Sequence, residues 1–164
     1  MKIFLFRKIF IFLRRLLIAW YQNGIHFTCQ RCGHCCSGEP GFVYLTQSDI
    51  TAISQYLNIS EEEFLAIYTR KIDNGSFSYI SLREKKDYAC VFLSEVGCLI
   101  NKVKPHQCSA YPIWSYLLED KALFNNEKNA CPGIGKGELI TEKEIREILK
   151  KEREIILKTV KNTN

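Results

Sequence analysis

The spacing of apolar residues predicts that the chain begins with an amphipathic helix. Over residues 2–20 Arg7, Lys8, Arg14 and Arg15 fall on one side of a helix, and Phe, Ile and Leu cover most of the rest. A basic amphipathic helix of this kind binds an anionic membrane surface or a partner protein. The same stripe is also typical of a helix that packs on its own domain with its arginines in water, so both interpretations stay open.

Further along the chain, three pairs of residues have the spacing of helix N-caps, in which a Ser or Thr side chain accepts a hydrogen bond from the backbone three residues on. The pairs are Thr46 with Asp49, Ser60 with Glu63, and Thr141 with Glu144. They predict helices over 47–57, over 61–70 and after residue 141. The first two helices could form a DNA-reading pair, but three glutamates open the second one and would repel phosphates. Nucleic acid is therefore not an expected partner.

Short segments between these helices predict strands and turns. Residues 42–46 and 77–83 have the pattern of strands, and segments 88–93 and 98–100 flank SEVG as a hairpin. Residues 103–114 predict a loop with one helical turn, and the glycine-rich GIGKG predicts a turn. The expected fold class is α+β: a small irregular domain with short helices, a small antiparallel sheet and helices at both ends.

Charge divides the chain into two parts. The 164 residues suit one domain, and the net charge is +5. Residues 1–38 contain six basic residues and no acidic one, so the rest has a net charge of −1, the difference between +5 and +6. We therefore expect residues 1–25 to form the basic amphipathic helix and residues 26–164 to form the domain that carries the cysteines.

The cellular compartment decides how the eight cysteines are interpreted. Arg7-Lys8 and Arg14-Arg15 interrupt the apolar N-terminal segment, and the remaining runs are too short for a signal peptide or a membrane span. The protein is therefore expected in the cytoplasm, and at the membrane surface if residues 2–20 bind anionic lipid. Thiols stay reduced there, and clustered cysteines more often bind metal; disulfides are the alternative for a secreted chain.

The eight cysteines have the spacing of two metal-binding sets. Cys29, Cys32 and Cys35 recur every third residue in FTCQRCGHCCSG, and Cys131 is followed by proline. Three cysteines at this spacing with a distant Cys-Pro hold a [4Fe–4S] cluster in bacterial ferredoxins. Adjacent side chains diverge, so the cysteine after Cys35 can serve a second site. The second set is Cys36, Cys90, Cys98 and Cys108, with Cys108 and Cys131 able to exchange places.

The donor chemistry narrows the metal to zinc or iron, because thiolates prefer soft metals. The triplet spacing favours an iron–sulfur cluster over zinc or iron ions, since structural zinc sites usually have two C-x₂-C pairs. One or two of the cysteines could instead be buried apolar thiols. The three histidines, His26, His34 and His106, are not counted among the ligands.

Several motifs together resemble a known family. FTCQRCGHCC, LTQSDI, EEEFL, CVFLSEVGCLINKVKPHQCSAYP and CPG are similar to the YkgJ-type cysteine-cluster family, described as a "putative zinc- or iron-chelating domain". The resemblance spans about residues 27–133 and keeps all eight cysteines in order. It implies metal binding, and the family includes proteins labelled iron–sulfur oxidoreductases and flagellin lysine methylases. Where family members usually have two arginines and a tyrosine, this chain has Lys104, Ser109 and Asn101.

These patterns predict a metal-binding protein whose role is electron transfer, metal handling or redox sensing. If it is an enzyme, iron–sulfur oxidoreductase is the expected class. One alternative is a zinc-stabilised interaction module without catalysis, which docks on a protein partner through its N-terminal helix. The other is a lysine-modifying enzyme similar to flagellin lysine N-methylase.

Overall fold

The computed structural model describes residues 19–73 and 78–161, with side chains up to residue 155. The described helices are α1 (Gln47–Leu57), α2 (Glu61–Tyr68), α3 (His106–Ala110), α4 (Ser115–Glu119), α5 (Lys121–Ala130) and α6 (Glu142–Lys161). The described strands are β1 (Ile25–Phe27), β2 (Thr69–Asp73), β3 (Ser78–Leu82), β4 (Leu93–Ser94), β5 (Gly97–Cys98) and β6 (Ile134–Ile140). Single 3₁₀ turns occur at His34–Cys36 and Asn101–Val103. The predicted fold class, a small α+β domain, is confirmed.

Local capping chemistry sets the helix starts where the sequence predicts them. The backbone N–H of Asp49 donates to Thr46 Oγ1 at 3.2 Å, and the Thr46 N–H donates back to the Asp49 carboxylate at 2.8 Å. This capping box satisfies two backbone donors at the start of α1 that the helix itself leaves free. Equivalent bonds start the other two predicted helices, at Ser60 with Glu63 and at Thr141 with Glu144.

The strands form three two-stranded antiparallel sheets, β1–β6, β2–β3 and β4–β5. Strand β3 lies where the sequence predicts it, and a hairpin forms at SEVG. Its strands β4 and β5 are only two residues long and overlap the predicted segments 88–93 and 98–100 at Leu93 and Cys98 alone. Helix α2 ends at Tyr68, two residues earlier than predicted, because Thr69 pairs with Leu82 in the β2–β3 sheet. The predicted strand at 42–46 contributes only an isolated bridge, between Tyr44 and Ser81.

Four of the five residues of the glycine-rich segment GIGKG lie in strand β6, so the predicted turn is confined to Gly133 before the strand. Ile25 lies opposite Ile140 and Phe27 lies opposite Ile134 in the β1–β6 sheet. Within β6, Gly135 has a φ of +86° and Gly137 a φ of +75°. These left-handed conformations bend the strand, and glycine adopts them without steric cost. The sheet joins the two ends of the cysteine-bearing segment.

The core has two hydrophobic clusters, and the cysteines lie between them. The first cluster packs helices α4, α5 and α6 around residues such as Phe124 and Ile145. The second packs α1 and α2 around Ile53 and Phe64. Cys131 belongs to the first cluster, whereas Cys90 and Cys98 pack against the second. The cysteines predicted to bind metal therefore lie at the junction of the two hydrophobic clusters.

The predicted N-terminal helix lies outside the described residues except for its end. Trp20 packs on the first cluster: its indole N–H donates to the Leu118 carbonyl at 3.0 Å, and its ring lies 4.9 Å from that of Phe124. The division of the chain at residue 25 stays a prediction. Among the helices of the described ranges, none combines the length and the hydrophobicity that crossing a membrane requires.

Candidate metal centre

All eight cysteines line one cavity, which has a volume of about 60 Å³. Cys29, Cys32 and Cys35 are exposed on one side, whereas Cys131 is only 5% exposed. None of the eight forms a disulfide. A water molecule occupies about 30 Å³ of liquid, so the cavity has room for more than one ion-sized body. The fold thus brings together residues that are spread over most of the chain.

The adjacent Cys35 and Cys36 lie on a 3₁₀ turn that is fixed by packing at Gly33 and by a backbone hydrogen bond to Cys36. Gly33 precedes the turn with a φ of +79°, and a Cβ there would lie 3.3 Å from the Leu93 side chain. The backbone N–H of Cys90 donates to the Cys36 carbonyl at 2.7 Å. This bond ties the CxxCxxCC segment directly to the strand region that carries Cys90. The backbone therefore fixes Cys36 and Cys90, two members of the second predicted ligand set, relative to each other.

The loop before Cys29 is fixed by close packing on β6. A Cβ at Gly133 would lie 2.5 Å from the Thr28 carbonyl oxygen. A Cβ at Gly137 would overlap Thr28 Oγ1 and lie 2.5 Å from Thr28 Cβ. Real Cβ atoms do not approach other atoms this closely, so only glycine fits at either position. Strand β6 therefore positions Thr28, and with it the neighbouring Cys29.

Cys35 and Cys36 share a hydrogen bond, with their sulfurs 3.7 Å apart. This bond is the main cause that lowers the pKa of Cys36 to about 7, and the nearby Lys104 lowers it further. The same bond is the main cause that raises the pKa of Cys35 above its usual value. A bond of this kind is best described as a thiol donating to a thiolate, which favours a negative charge on Cys36 at neutral pH.

The second predicted ligand set forms a mutually interacting group of thiols. Burial raises the pKa of Cys90 to about 11, and burial is also the main cause that raises the pKa of Cys98 and of Cys108. The charge of Cys36 further raises the pKa of Cys90, Cys98 and Cys108, and Cys29 of the first set also acts on Cys98. Four thiols that repel each other's charge are stabilised together by a cation. The division of the eight cysteines into two sets stays a prediction.

A hydrogen-bonded chain of side chains leads from the buried cysteine to the surface. The Tyr111 hydroxyl lies against Cys131 and donates to Glu127 Oε1 at 2.6 Å. Burial is the main cause that raises the pKa of Tyr111, and its bonds to Cys131 and Glu127 add to it. His34 Nε2 lies 3.2 Å from the same carboxylate oxygen. The carboxylate thereby connects the region of Cys131 with the turn that carries Cys35 and Cys36.

The donor set fits zinc or iron, although no finished coordination sphere is present. In the described part of the chain, no three His, Cys, Asp or Glu side chains converge as a metal site. A cysteine side chain has one rotatable bond that places its sulfur in three staggered positions. We therefore base the assignment on the shared cavity rather than on the position of each sulfur. Eight thiols around one cavity are the donors that soft metals prefer.

Tyr111 and Glu127 carry no signal in the sequence, whereas Lys104, Asn101 and Ser109 are distinguished there only as departures from the family pattern. Lys104 lines the cavity, as does Asn101. The side chain of Ser109 instead donates to the Lys104 carbonyl at 3.3 Å. Tyr111 and Glu127 are an ordinary tyrosine and glutamate in the sequence, and only the packing of α5 beside α3 brings them to Cys131. Lys104 could have been singled out from its place four residues before Cys108, since a cation there favours thiolates.

Comparison with known proteins supports the metal-binding interpretation. Residues 28–132 match the CxxCxxCC family, described as "Putative zinc- or iron-chelating domain". An uncharacterized protein of Methanocaldococcus jannaschii is 35% identical over 94 residues, which are 56% of this chain and 47% of that protein. A second uncharacterized protein of the same organism is 27% identical over 139 residues, 81% of this chain and 45% of that protein.

The chain thus spans about half the length of the curated relatives it matches. No solved structure is significantly similar to it. The family match covers more than half of the chain and includes all eight cysteines. On this basis the chain belongs to the CxxCxxCC family of domains described as zinc- or iron-chelating.

Proposed function

We propose that the protein holds iron–sulfur clusters through its eight cysteines and transfers electrons in the cytoplasm. The observation that carries this proposal is the shared cavity, whose lining includes all eight thiols. The triplet Cys29, Cys32, Cys35 with the distant Cys131-Pro132 is the pattern that supports a cluster rather than zinc. When bound, such a cluster supplies one-electron redox chemistry.

The uneven exposure of the cysteines supports a role in electron transfer. Cys29, Cys32 and Cys35 are exposed, whereas Cys131 is buried. A redox partner could therefore approach one side of the cluster closely, while the other side stays in a dry environment. Lys104 would offset part of the negative charge of the thiolates, and cations near a cluster favour its reduced form.

We also propose that the metal stabilises the fold. The cavity lies between the two hydrophobic clusters, which touch the cysteines from opposite sides. Structural metal contributes about 10 kcal/mol or more of apparent folding free energy in small domains. Bound metal would therefore hold the α4–α6 part of the chain to the α1–α2 part.

Anaerobic purification followed by iron, zinc and acid-labile sulfide analysis tests the proposal. We expect iron and sulfide in about equal amounts, visible absorbance that bleaches with dithionite, and a paramagnetic signal on reduction. Cys32→Ser should lose these signals, whereas Lys86→Ser, a replacement at an exposed residue that lines neither this cavity nor its neighbour, should keep them. Colourless protein that contains zinc and no sulfide would overturn the iron–sulfur assignment.

A zinc-stabilised module is the second candidate function. The position of the cavity between the two hydrophobic clusters favours it, because a redox-inert ion in that place would have a purely structural role. The same analysis separates the two candidates: zinc without colour supports this module, and iron with sulfide contradicts it.

A further inference from the structure

A second cavity, of about 430 Å³, opens directly beside the cysteine cavity. The two cavities share several lining residues, among them Cys35, Cys36, Cys90 and Cys108. The residues between the two cavities are therefore these four cysteines together with Leu82 and Tyr111. Its size is within the range of small-molecule sites in proteins.

Aromatic side chains form a large part of the wall of this cavity. Phe42, Tyr88 and Tyr116 line it while remaining 44%, 51% and 52% exposed, and Trp114 lies deeper. The indole N–H of Trp114 is already used, because it donates to the Gln107 carbonyl at 2.8 Å. The rings therefore offer mainly their faces and edges to a ligand. Aromatic faces attract cations because the ring quadrupole is negative there.

The wall also carries three carboxylates, from Glu39, Glu84 and Glu127. Arg70 pairs with Glu84 at 2.7 Å, but Glu39 and Glu127 have no Lys or Arg partner among the described residues. Both bonds to Glu127 use Oε1, so its Oε2 accepts no hydrogen bond from a described residue. The Glu127 side chain is only 22% exposed, and a partly buried carboxylate with a spare acceptor is a favourable place for a cationic donor.

The basic residue of the wall does not offer an anion site. Arg83 lines the cavity, but its Nε donates to the Thr69 carbonyl at 2.6 Å and one terminal nitrogen donates to the Ala66 carbonyl at 2.9 Å. Its guanidinium is thus held against the backbone where α2 ends. An anionic ligand would meet Glu39 and Oε2 of Glu127, whose Oε1 is held by Tyr111 and His34, instead of a free arginine donor.

We infer that the 430 Å³ cavity binds small organic cations of the alkylammonium class. The ammonium group donates to Glu127 Oε2, and its alkyl part packs on the rings of Trp114 and Tyr116. Bound metal with four or more thiolates carries a net negative charge, which strengthens the attraction. That last contribution rests on the proposed function, whereas the carboxylates and the rings do not.

The test compares n-butylammonium with n-butanol, a neutral molecule of similar shape, by ligand-observed NMR titration of the metal-loaded protein at low salt. We expect butylammonium to bind at least about tenfold more tightly than butanol, since partly desolvated charge pairs dominate such discrimination. Glu127→Gln should weaken butylammonium binding about fivefold or more. Glu39→Gln should weaken it about twofold, because an exposed charge is screened.

Glu147→Gln is the matched control, since Glu147 is an exposed glutamate of α6 outside this cavity. Metal content is measured for every variant, because Glu127 is linked to Cys131 through Tyr111. If butanol binds as tightly as butylammonium, or if Glu127→Gln binds butylammonium like the original protein, the inference is wrong. Protein that binds butylammonium but contains no metal would contradict the proposed function and leave the cation site standing.

Discussion

Replacing Gly137 by alanine tests whether strand β6 positions Cys29, a proposed metal ligand. The new Cβ would overlap the Thr28 side chain, and the residue would have to keep a φ of +75°. Gly135→Ala is the matched control. Gly135 lies in the same strand at a φ of +86°, but a Cβ there would meet only the flexible end of the Lys128 side chain, at 3.3 Å.

The expected losses of stability for the two variants follow from what surrounds each glycine. A left-handed conformation costs alanine about 1–2 kcal/mol, which is the whole cost for Gly135→Ala. Overpacking adds about 1–3 kcal/mol, so Gly137→Ala should cost about 2–5 kcal/mol. In a protein of this size 1 kcal/mol lowers the melting temperature by about 2–4 °C. We expect losses of about 2–8 °C for Gly135→Ala and about 4–20 °C for Gly137→Ala by the same relation.

Metal affinity is the measurement that connects this packing to function. Disturbing the support of a metal ligand typically weakens binding 10–100-fold, so we expect a loss of about that size for Gly137→Ala in competition with a chelator. Gly135→Ala should change the metal affinity by less than about threefold, because backbone strain at this position does not extend to the predicted metal ligands. Equal metal affinities for the two variants would show that β6 does not position Cys29.

Three further perturbations test the site and one tests the N-terminal segment. Removing the metal with a strong chelator should abolish cooperative unfolding in calorimetry, and an unchanged thermal transition would contradict the stabilising role of metal. Cys35→Ser and Cys36→Ser should lose different metal equivalents if the pair serves two sites, whereas identical losses would indicate one shared cluster. Lys104→Gln should raise the pKa of the Cys36 thiol above about 7. Metal loading requires the thiolate, so it should shift to higher pH. A Lys104→Arg variant should keep the original pH profile of metal loading. Removing residues 1–18, which leaves Trp20 in its packed position, should abolish binding to anionic vesicles without changing the metal content.

The helix starts were predictable because their causes are local. The capping box of Thr46 and Asp49 involves residues three apart, and it fixes the start of α1 in both the sequence and the structure. The end of α2 was not predictable in the same way, since it depends on Thr69 pairing with Leu82. A strand partner competes with the last turn of a helix, and that partner is not visible in the local pattern.

The error at GIGKG has a similar origin. Three glycines within five residues are typical of a turn, yet the segment pairs with Ile25–Phe27 from the other end of the domain. The glycines are required by the bend of the strand and by the close approach of Thr28. Spacing did identify the cysteines that share the cavity. It gave no sign of the second cavity, because Glu127 and Trp114 reach it only through the packing of α4 and α5.

The β1–β6 sheet has a consequence for how this domain can be combined with other sequences. Because Ile25 lies opposite Ile140, the chain enters and leaves the cysteine-bearing segment at neighbouring points. A segment whose ends are adjacent can be placed inside a longer polypeptide without separating the elements on either side of it. All eight cysteines therefore lie inside the loop that the sheet closes, and an inserted unit would consist of this loop together with α6, which packs in the first hydrophobic cluster.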